Sequence, residues 1–297
     1  MRPKILLTGK NGQVGFELQR ALMPLGEVVA FDHAECDLAH AQSLRDVVSR
    51  IQPQIIINAA AYTAVDKAET DQAAAFAVNG AAPGVLGEEA KKLGALVLHY
   101  STDYVFDGSK SAAYNENDLP NPQGVYGKSK WQGEQALQAS GAHTIILRTS
   151  WVFGAHGGNF AKTMLRLAAD RENLNVVADQ FGAPTSAVLI ADVSAQLIGQ
   201  YQNRTASAFD FGLYHLAAGG ETHWCDYAKA VVATAHAAGK PLKLKPEGIR
   251  AISTAEYPLP APRPANSRLD TRKLQSTFDL TLPHWRHGLE QVLQRIL

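Results

Sequence analysis

The chain has 297 residues, 46% hydrophobic and 19% charged, with acids and bases in equal number and a formal net charge of zero. That length suffices for one large core or two lobes, and the charge balance argues against a nucleic-acid or anionic-membrane partner. No apolar run approaches the roughly 20 residues of a membrane span, and Cys36 and Cys225 read as reduced thiols of a cytoplasmic protein.

Short, branched apolar runs at 5–7, 28–31, 55–57, 96–98 and 145–147 predict parallel strands buried on both faces. Between them, 13–23, 41–51, 71–93 and 125–139 have helical spacing. Pro24 and Gly26 stop the first of these, and Gly94 stops the third. Strands alternating with helices predict an α/β fold of Rossmann type, a doubly wound parallel sheet. Residues 1–150 are its dinucleotide-binding domain. Beyond Trp151 the pattern loosens, with helices expected at 159–171, 186–200 and 224–238 and strands at 176–177 and 213–217. Residues 257–264 alternate proline with other residues, which forbids helix and predicts a rigid loop bordering a site. No linker is visible. Residues 151–297 are therefore read as a smaller, interleaved lobe, mainly substrate-binding, with some segments returning to the Rossmann sheet.

Gly9, Gly12 and Gly15 follow the first strand and open the first helix in GxxGxxG spacing. Gly9 permits a tight turn, Gly12 lets backbone approach a pyrophosphate, and Gly15 lets helix pack on strand. The diphosphate would sit on the N–H groups at the helix start, around Gln13 and Val14. Asp32 ends the second strand about twenty residues on, where a carboxylate binds adenosine ribose hydroxyls. That charge favours NADH. Lys10 in the glycine loop can instead pair with a 2′-phosphate, so NADH or NADPH is expected. Asp37 and Leu38 would flank the adenine, and Ala59-Ala60-Ala61 is small enough to let the cofactor pass.

The segment Tyr126-Gly127-Lys128-Ser129-Lys130 places a phenol and an ammonium four residues apart. On a helix they share one face, so the ammonium can lie beside the hydroxyl and pull its pKa down from about 10. Such a phenol can give a proton to a carbonyl oxygen or take one from an alcohol. Chance supplies this pair easily; its weight comes from its neighbours. Thr102 lies just past the fourth strand, at the carboxyl edge where ligands of such sheets bind, and can donate to a substrate oxygen beside Tyr126.

A strand-ending hydroxyl, then Tyr-x-x-x-Lys, with GxxGxxG and a long C-terminal part, resembles the extended, nucleotide-sugar-using branch of the short-chain dehydrogenases/reductases. Within that branch, five blocks running nearly the length of the chain resemble the dTDP-4-dehydrorhamnose reductase family. They are Asn58-Ala59-Ala60-Ala61-Tyr62-Thr63-Ala64-Val65-Asp66, Tyr100-Ser101-Thr102-Asp103-Tyr104, Arg148-Thr149-Ser150-Trp151, Asp179-Gln180-Phe181-Gly182 and Arg263-Pro264-Ala265-Asn266-Ser267-Arg268. The resemblance implies NAD(P)H-dependent reduction of the C4 ketone of a dTDP-linked 4-keto-6-deoxy sugar, dTDP-6-deoxy-L-lyxo-4-hexulose, to dTDP-L-rhamnose. It implies Tyr126 as proton donor, Lys130 as its tuner and holder of the nicotinamide ribose, and Thr102 as polariser of the ketone oxygen. Ala61, Tyr62 and Thr63 become cofactor contacts. Trp151 offers the sugar a flat surface, or packs in the core, and Asp103 offers a polar contact. Arg263 and Arg268 are diphosphate ligands or structural salt-bridge partners.

Position 104 separates neighbouring reactions: related dehydratases carry Thr-Asp-Glu, and this chain has Thr102-Asp103-Tyr104, so elimination is unsupported. Some relatives dimerise around magnesium. Glu17 could supply one ligand, but Val188 and Gln294-Arg295 offer no carboxylate, so no metal and a monomer or weak homodimer are expected. Two alternatives stand beside this reading. One is a reductase of another nucleotide-linked 4-keto sugar; the other is a non-catalytic subunit like the regulatory subunit of methionine adenosyltransferase, against which Thr102, Tyr126 and Lys130 speak.

Overall fold

The computed structural model describes residues 2–297. The first five strands are β1 (Lys4–Thr8), β2 (Glu27–Phe31), β3 (Ile55–Asn58), β4 (Leu96–Thr102) and β5 (His143–Thr149). With Gly212–His215 beside β5 they form one parallel sheet, in the order 2-1-3-4-5 and then the sixth strand. Alternation along β1 explains why both faces are covered. Ile5 and Leu7 enter one core with Leu18 and Leu22 of α1 (Gln13–Leu22), while Leu6 enters the other with Leu44 and Val48 of α2 (Ala41–Ile51). Each such side chain is essentially inaccessible, and burial of this kind stabilises by about 1.5–3 kcal/mol per residue. Strand order reverses between β1 and β3, so a crevice opens at their carboxyl ends.

The helix expected over 71–93 is interrupted. After α3 (Val65–Ala68) come α4 (Gln72–Ala75), a π-type turn at Phe76–Ala81, and α5 (Ala82–Leu93). Pro83 has no N–H to give the Asn79 carbonyl, which loosens the helical ladder at that turn. Asn79 is buried there, and its amide clamps the Tyr62 backbone on both sides and reaches the Ser129 hydroxyl.

Helix α6 (Val125–Ala139) carries the Tyr-x-x-x-Lys segment. A Cβ at Gly133 would lie 2.0 Å from the Asn79 carbonyl oxygen, so only glycine lets α6 approach the π-type turn this closely. From the sheet side, Arg148 of β5 grips Glu134 of α6 by two parallel bonds, Nε to Oε1 at 2.8 Å and Nη2 to Oε2 at 2.6 Å. Both side chains are buried.

Residues after 151 build a second core around Met164, Tyr227, Val231, Trp285 and Leu289. Its small sheet pairs Leu174–Val177 with Ile249–Ile252. Other segments of this half pack on the main sheet: the strand Gly212–His215, Ile190 and Leu197 of helix Ala187–Gln202, and Phe278. The proline-rich stretch 257–264 has neither helix nor strand, and both cysteines are buried and unpaired. Among the described residues no helix is long and apolar enough to cross a membrane.

Glu134→Leu is expected to destabilise the fold by about 3–5 kcal/mol, because Arg148 is left charged and buried without its partner. Urea denaturation checks this, and the double variant Glu134→Leu/Arg148→Met should recover much of the loss.

Candidate active site

The first turn after β1 is built for close approach. Gly9 has φ +75°, and a Cβ on it would lie 2.7 Å from the Ala60 nitrogen; one on Gly15 would lie 2.0 Å from the Gly9 oxygen. Helix α1 then starts behind Gly12 with no side chain capping its N–H groups. Uncapped donors with the positive end of a helix dipole suit a phosphate. Val14 packs partly into the core beside Leu18. Gln13 reaches the second half of the chain: its Oε1 accepts from Asn159 at 3.0 Å and its Nε2 donates to the Val152 carbonyl at 3.4 Å. His156 closes the same side, bonding the Asn11 carbonyl at 3.0 Å and stacking on Phe16 at 4.3 Å between centroids.

Asp32 stands just beyond β2, its Oδ1 accepting from the Ala34 and Glu35 N–H groups and its Oδ2 from the Asn11 amide. These bonds, led by that with Glu35, hold its carboxyl below the ordinary range. Asp37 is tied to its own turn through the Ala39 N–H and His40. Leu38, expected beside the adenine, is buried in the core with Leu6 and Leu44. Ala61 and Tyr62 are partly buried and Thr63 is exposed; the Tyr62 hydroxyl donates to Asp71 at 3.0 Å.

Thr102 ends β4 and turns the chain into Asp103–Val105. Its hydroxyl donates to Asp103 Oδ1 at 3.1 Å and accepts from the Tyr104 N–H at 3.2 Å, and the Tyr126 phenol is its neighbour. Tyr104 meets Tyr126 edge to face at 5.4 Å. The sheet edge and α6 thus bring Thr102, Asp103 and Tyr126 together. Lys130 differs from expectation. It shares the helix face with Tyr126, yet its Nζ lies 2.6 Å from the Tyr100 carbonyl oxygen and 3.4 Å from His99 Nε2. The expected lowering of the phenol's pKa is therefore not found: burial pushes Tyr126 up to about 12, with the neighbouring Thr102 hydroxyl opposing, and Lys130 down to about 8. Taking a phenolate out of water costs more than an ammonium turned toward a carbonyl returns. Tyr126 is thus held protonated at neutral pH.

His99 is a residue sequence reasoning missed. It is buried, held neutral by burial and by the Lys130 charge, and touches Asn58 at 3.1 Å; Asn58 in turn bonds the Thr8 hydroxyl at 2.7 Å. A polar chain thus crosses from β1 through β3 and β4 to α6. Its only sequence signal is a histidine inside an apolar run, Leu96-Val97-Leu98-His99.

The carboxyl ends of β4 and β5 also carry Ser101 Oγ, Asp103 Oδ2, Thr149 Oγ1 and Ser150 Oγ, all buried with no partner. Burial penalises each of these groups unless a ligand or water meets it. Together with the uncapped start of α1, they fit a dinucleotide and a polar reactant. Burial raises the Asp103 carboxyl to about 6.

Trp151 adopts φ +49° and stacks on Trp224 at 3.7 Å, while a Cβ on Gly182 would strike its ring. Trp224 is itself fixed by Gln180, and was not anticipated. Arg263 pairs with Asp66 at 2.8 Å and Arg268 with Glu221 at 3.0 Å, so both guanidiniums have partners within the chain.

A glycine-turn cradle facing a Thr/Tyr/Lys set at the β4 edge defines a dinucleotide-dependent dehydrogenase/reductase of the short-chain type. A family model described as the RmlD substrate binding domain matches residues 2–297. The dTDP-4-dehydrorhamnose reductase of Burkholderia thailandensis is 48% identical, covering 99% of both chains, and that of Escherichia coli K12 is 49% identical, covering 98% of this chain and 97% of its own. The Bacillus anthracis dTDP-4-dehydrorhamnose reductase, solved with NADP, superposes with a TM-score of 0.90 at 34% identity over 99% of each chain. WbmG of Bordetella bronchiseptica, at 17% identity and a TM-score of 0.79 over 99% of this chain and 94% of its own, shares the fold. The chain belongs to the dTDP-4-dehydrorhamnose reductase family.

Lys130 falls from its ordinary 10.5 to about 8 on folding, so between those values the unfolded chain holds the extra proton. Stability should therefore rise with pH through that window, by on the order of 2 kcal/mol relative to Lys130→Met. Urea denaturation of both proteins at pH 7 and pH 10 reads this difference.

Proposed function

We propose that the protein reduces the C4 ketone of dTDP-6-deoxy-L-lyxo-4-hexulose to dTDP-L-rhamnose with NADH or NADPH. One observation carries the reading. Thr102 and the protonated Tyr126 meet at the β4 edge, in a chain alike end to end with dTDP-4-dehydrorhamnose reductases. A bound nicotinamide supplies the hydride. The turn from Gly9 to Gly15 and the start of α1 at Gln13 would hold its diphosphate, Asp32 the adenosine ribose, and Lys130 the nicotinamide ribose. Ala61, Tyr62 and Thr63 would border it, with Asp37 at the adenine end.

The chain's own chemistry is proton delivery. Hydride arrival leaves negative charge on O4; Tyr126 gives that oxygen its phenolic proton while the Thr102 hydroxyl donates a hydrogen bond to it. Lys130, cationic below about 8, biases the site toward the phenolate left behind. Asp103 meets a sugar hydroxyl with its unpartnered Oδ2, and Trp151 gives the ring a flat wall beside Trp224. Arg263 and Arg268 brace the loops around the sugar rather than bind its diphosphate, since each already holds a carboxylate. Tyr104 offers no carboxylate for eliminating water, which supports reduction over dehydration.

The protein is further proposed to be a monomer or a weak homodimer that needs no metal. Glu17 is buried and meets Arg295 at 2.9 Å and Arg20 at 3.7 Å. Sedimentation with magnesium and with chelator should give one and the same mass; a metal-dependent shift would overturn this.

NADH or NADPH oxidation should be seen spectrophotometrically when the dTDP-linked ketone is supplied, and more slowly with UDP-linked 4-keto sugars. Tyr126→Phe should lower kcat about 10²–10⁴-fold and leave dinucleotide affinity nearly intact. Full turnover by that variant would remove Tyr126 as the acid, and silence with every nucleotide-linked ketone would remove the reductase reading.

A further inference from the structure

The cradle corner expected to face the adenosine ribose holds two anions and one cation. Lys10 Nζ lies 2.5 Å from Glu35 Oε2 and 3.8 Å from Asp32 Oδ2, and among the described residues no other cation pairs with either carboxylate. Asp32 is fixed by Asn11 and by the turn that follows it. Glu35 is fixed less firmly. It is about half exposed, and beyond Lys10 its carboxylate accepts only from the Asp32 N–H, at 2.9 Å.

We propose that Glu35 sets the dinucleotide preference of the enzyme, by engaging Lys10 and leaving this corner net negative so that NADH binds more tightly than NADPH. The inference rests on the cofactor reading above. A free ribose brings two hydroxyls, which donate to Asp32 without disturbing the Lys10–Glu35 pair. A 2′-phosphate brings a charge near −2 and only acceptor oxygens. It meets two carboxylates with nothing to give them, and gains Lys10 only by displacing Glu35. Lys10 is thus a phosphate ligand held in reserve, and the Glu35 charge opposes its use.

Glu35→Gln isolates that charge, because the amide oxygen can still accept from the Asp32 N–H and keep the turn. The experiment is direct titration of wild type and variant with NADH and with NADPH, by cofactor fluorescence or calorimetry, with no sugar present. Wild type should bind NADH more tightly. Glu35→Gln should improve NADPH affinity relative to NADH by about fivefold or more, one unit charge near 4 Å in water being worth about that factor. The gain should shrink as salt is raised, and be smaller when Glu35→Gln is made in a Lys10→Met background, where only the direct repulsion by Glu35 is relieved and no ammonium is freed. A wild-type preference for NADPH, an unchanged ratio in Glu35→Gln, or a gain undiminished by Lys10→Met would each overturn the assignment. Failure of both dinucleotides to bind wild type would instead overturn the cofactor reading itself.

Discussion

The buried pair between Arg148 and Glu134 is the constraint on which the rest of the site depends. Arg148 belongs to β5 and Glu134 to α6, and their two parallel bonds fix both the height and the rotation of that helix over the sheet. Lys130 and Tyr126 sit about one and two turns before Glu134 on the same helix, so the rotation fixed at Glu134 also sets their direction. On the opposite side, Gly133 lets α6 settle against the Asn79 carbonyl. Removing two charges from water for this purpose stabilises little by itself. Its effect is positional: the phenol arrives beside Thr102, at the end of a strand whose own place is set by the core.

Burial then does for Tyr126 what a neighbouring cation would undo. The proton donor proposed here has to be protonated before it acts, and its partly buried place at the edge of β4 holds the phenol in that form. The same burial lowers Lys130 and neutralises His99, so the polar chain from Thr8 to Lys130 carries at most one charge. Nicotinamide reduction of a ketone needs one proton on one oxygen. The surroundings of Tyr126 would keep that proton in place, because burial and the nearby Asp103 charge both oppose the phenolate.

Much of this was legible in the sequence because backbone rules fix it. Doubly buried strands need unbroken branched runs, and a turn at φ +75° needs Gly9, so the sheet and the cradle could both be read directly. The face shared by Tyr126 and Lys130 follows from helical period alone. What the period does not encode is where a long side chain ends: Lys130 has a carbonyl within reach, and it turned there. Pro83 was visible, but its effect depends on Asn79 finding three partners around Tyr62 and Ser129. Leu38 and Asp37 are neighbours in sequence, yet one faces the core and the other solvent. Trp224 and His99 come from segments far from the residues they support, and only the folded chain brings them there.

Trp151 shows how stability and chemistry can pull one position apart. Its backbone is in the left-handed region at φ +49°, which costs a bulky residue on the order of 1–3 kcal/mol and glycine almost nothing. Stacking on Trp224 offsets part of that cost. Selection for thermal tolerance alone would therefore drift toward glycine or asparagine at 151. If the indole walls the sugar as proposed, selection for turnover would hold it in place, and residue 151 would reveal which pressure a laboratory lineage had been under.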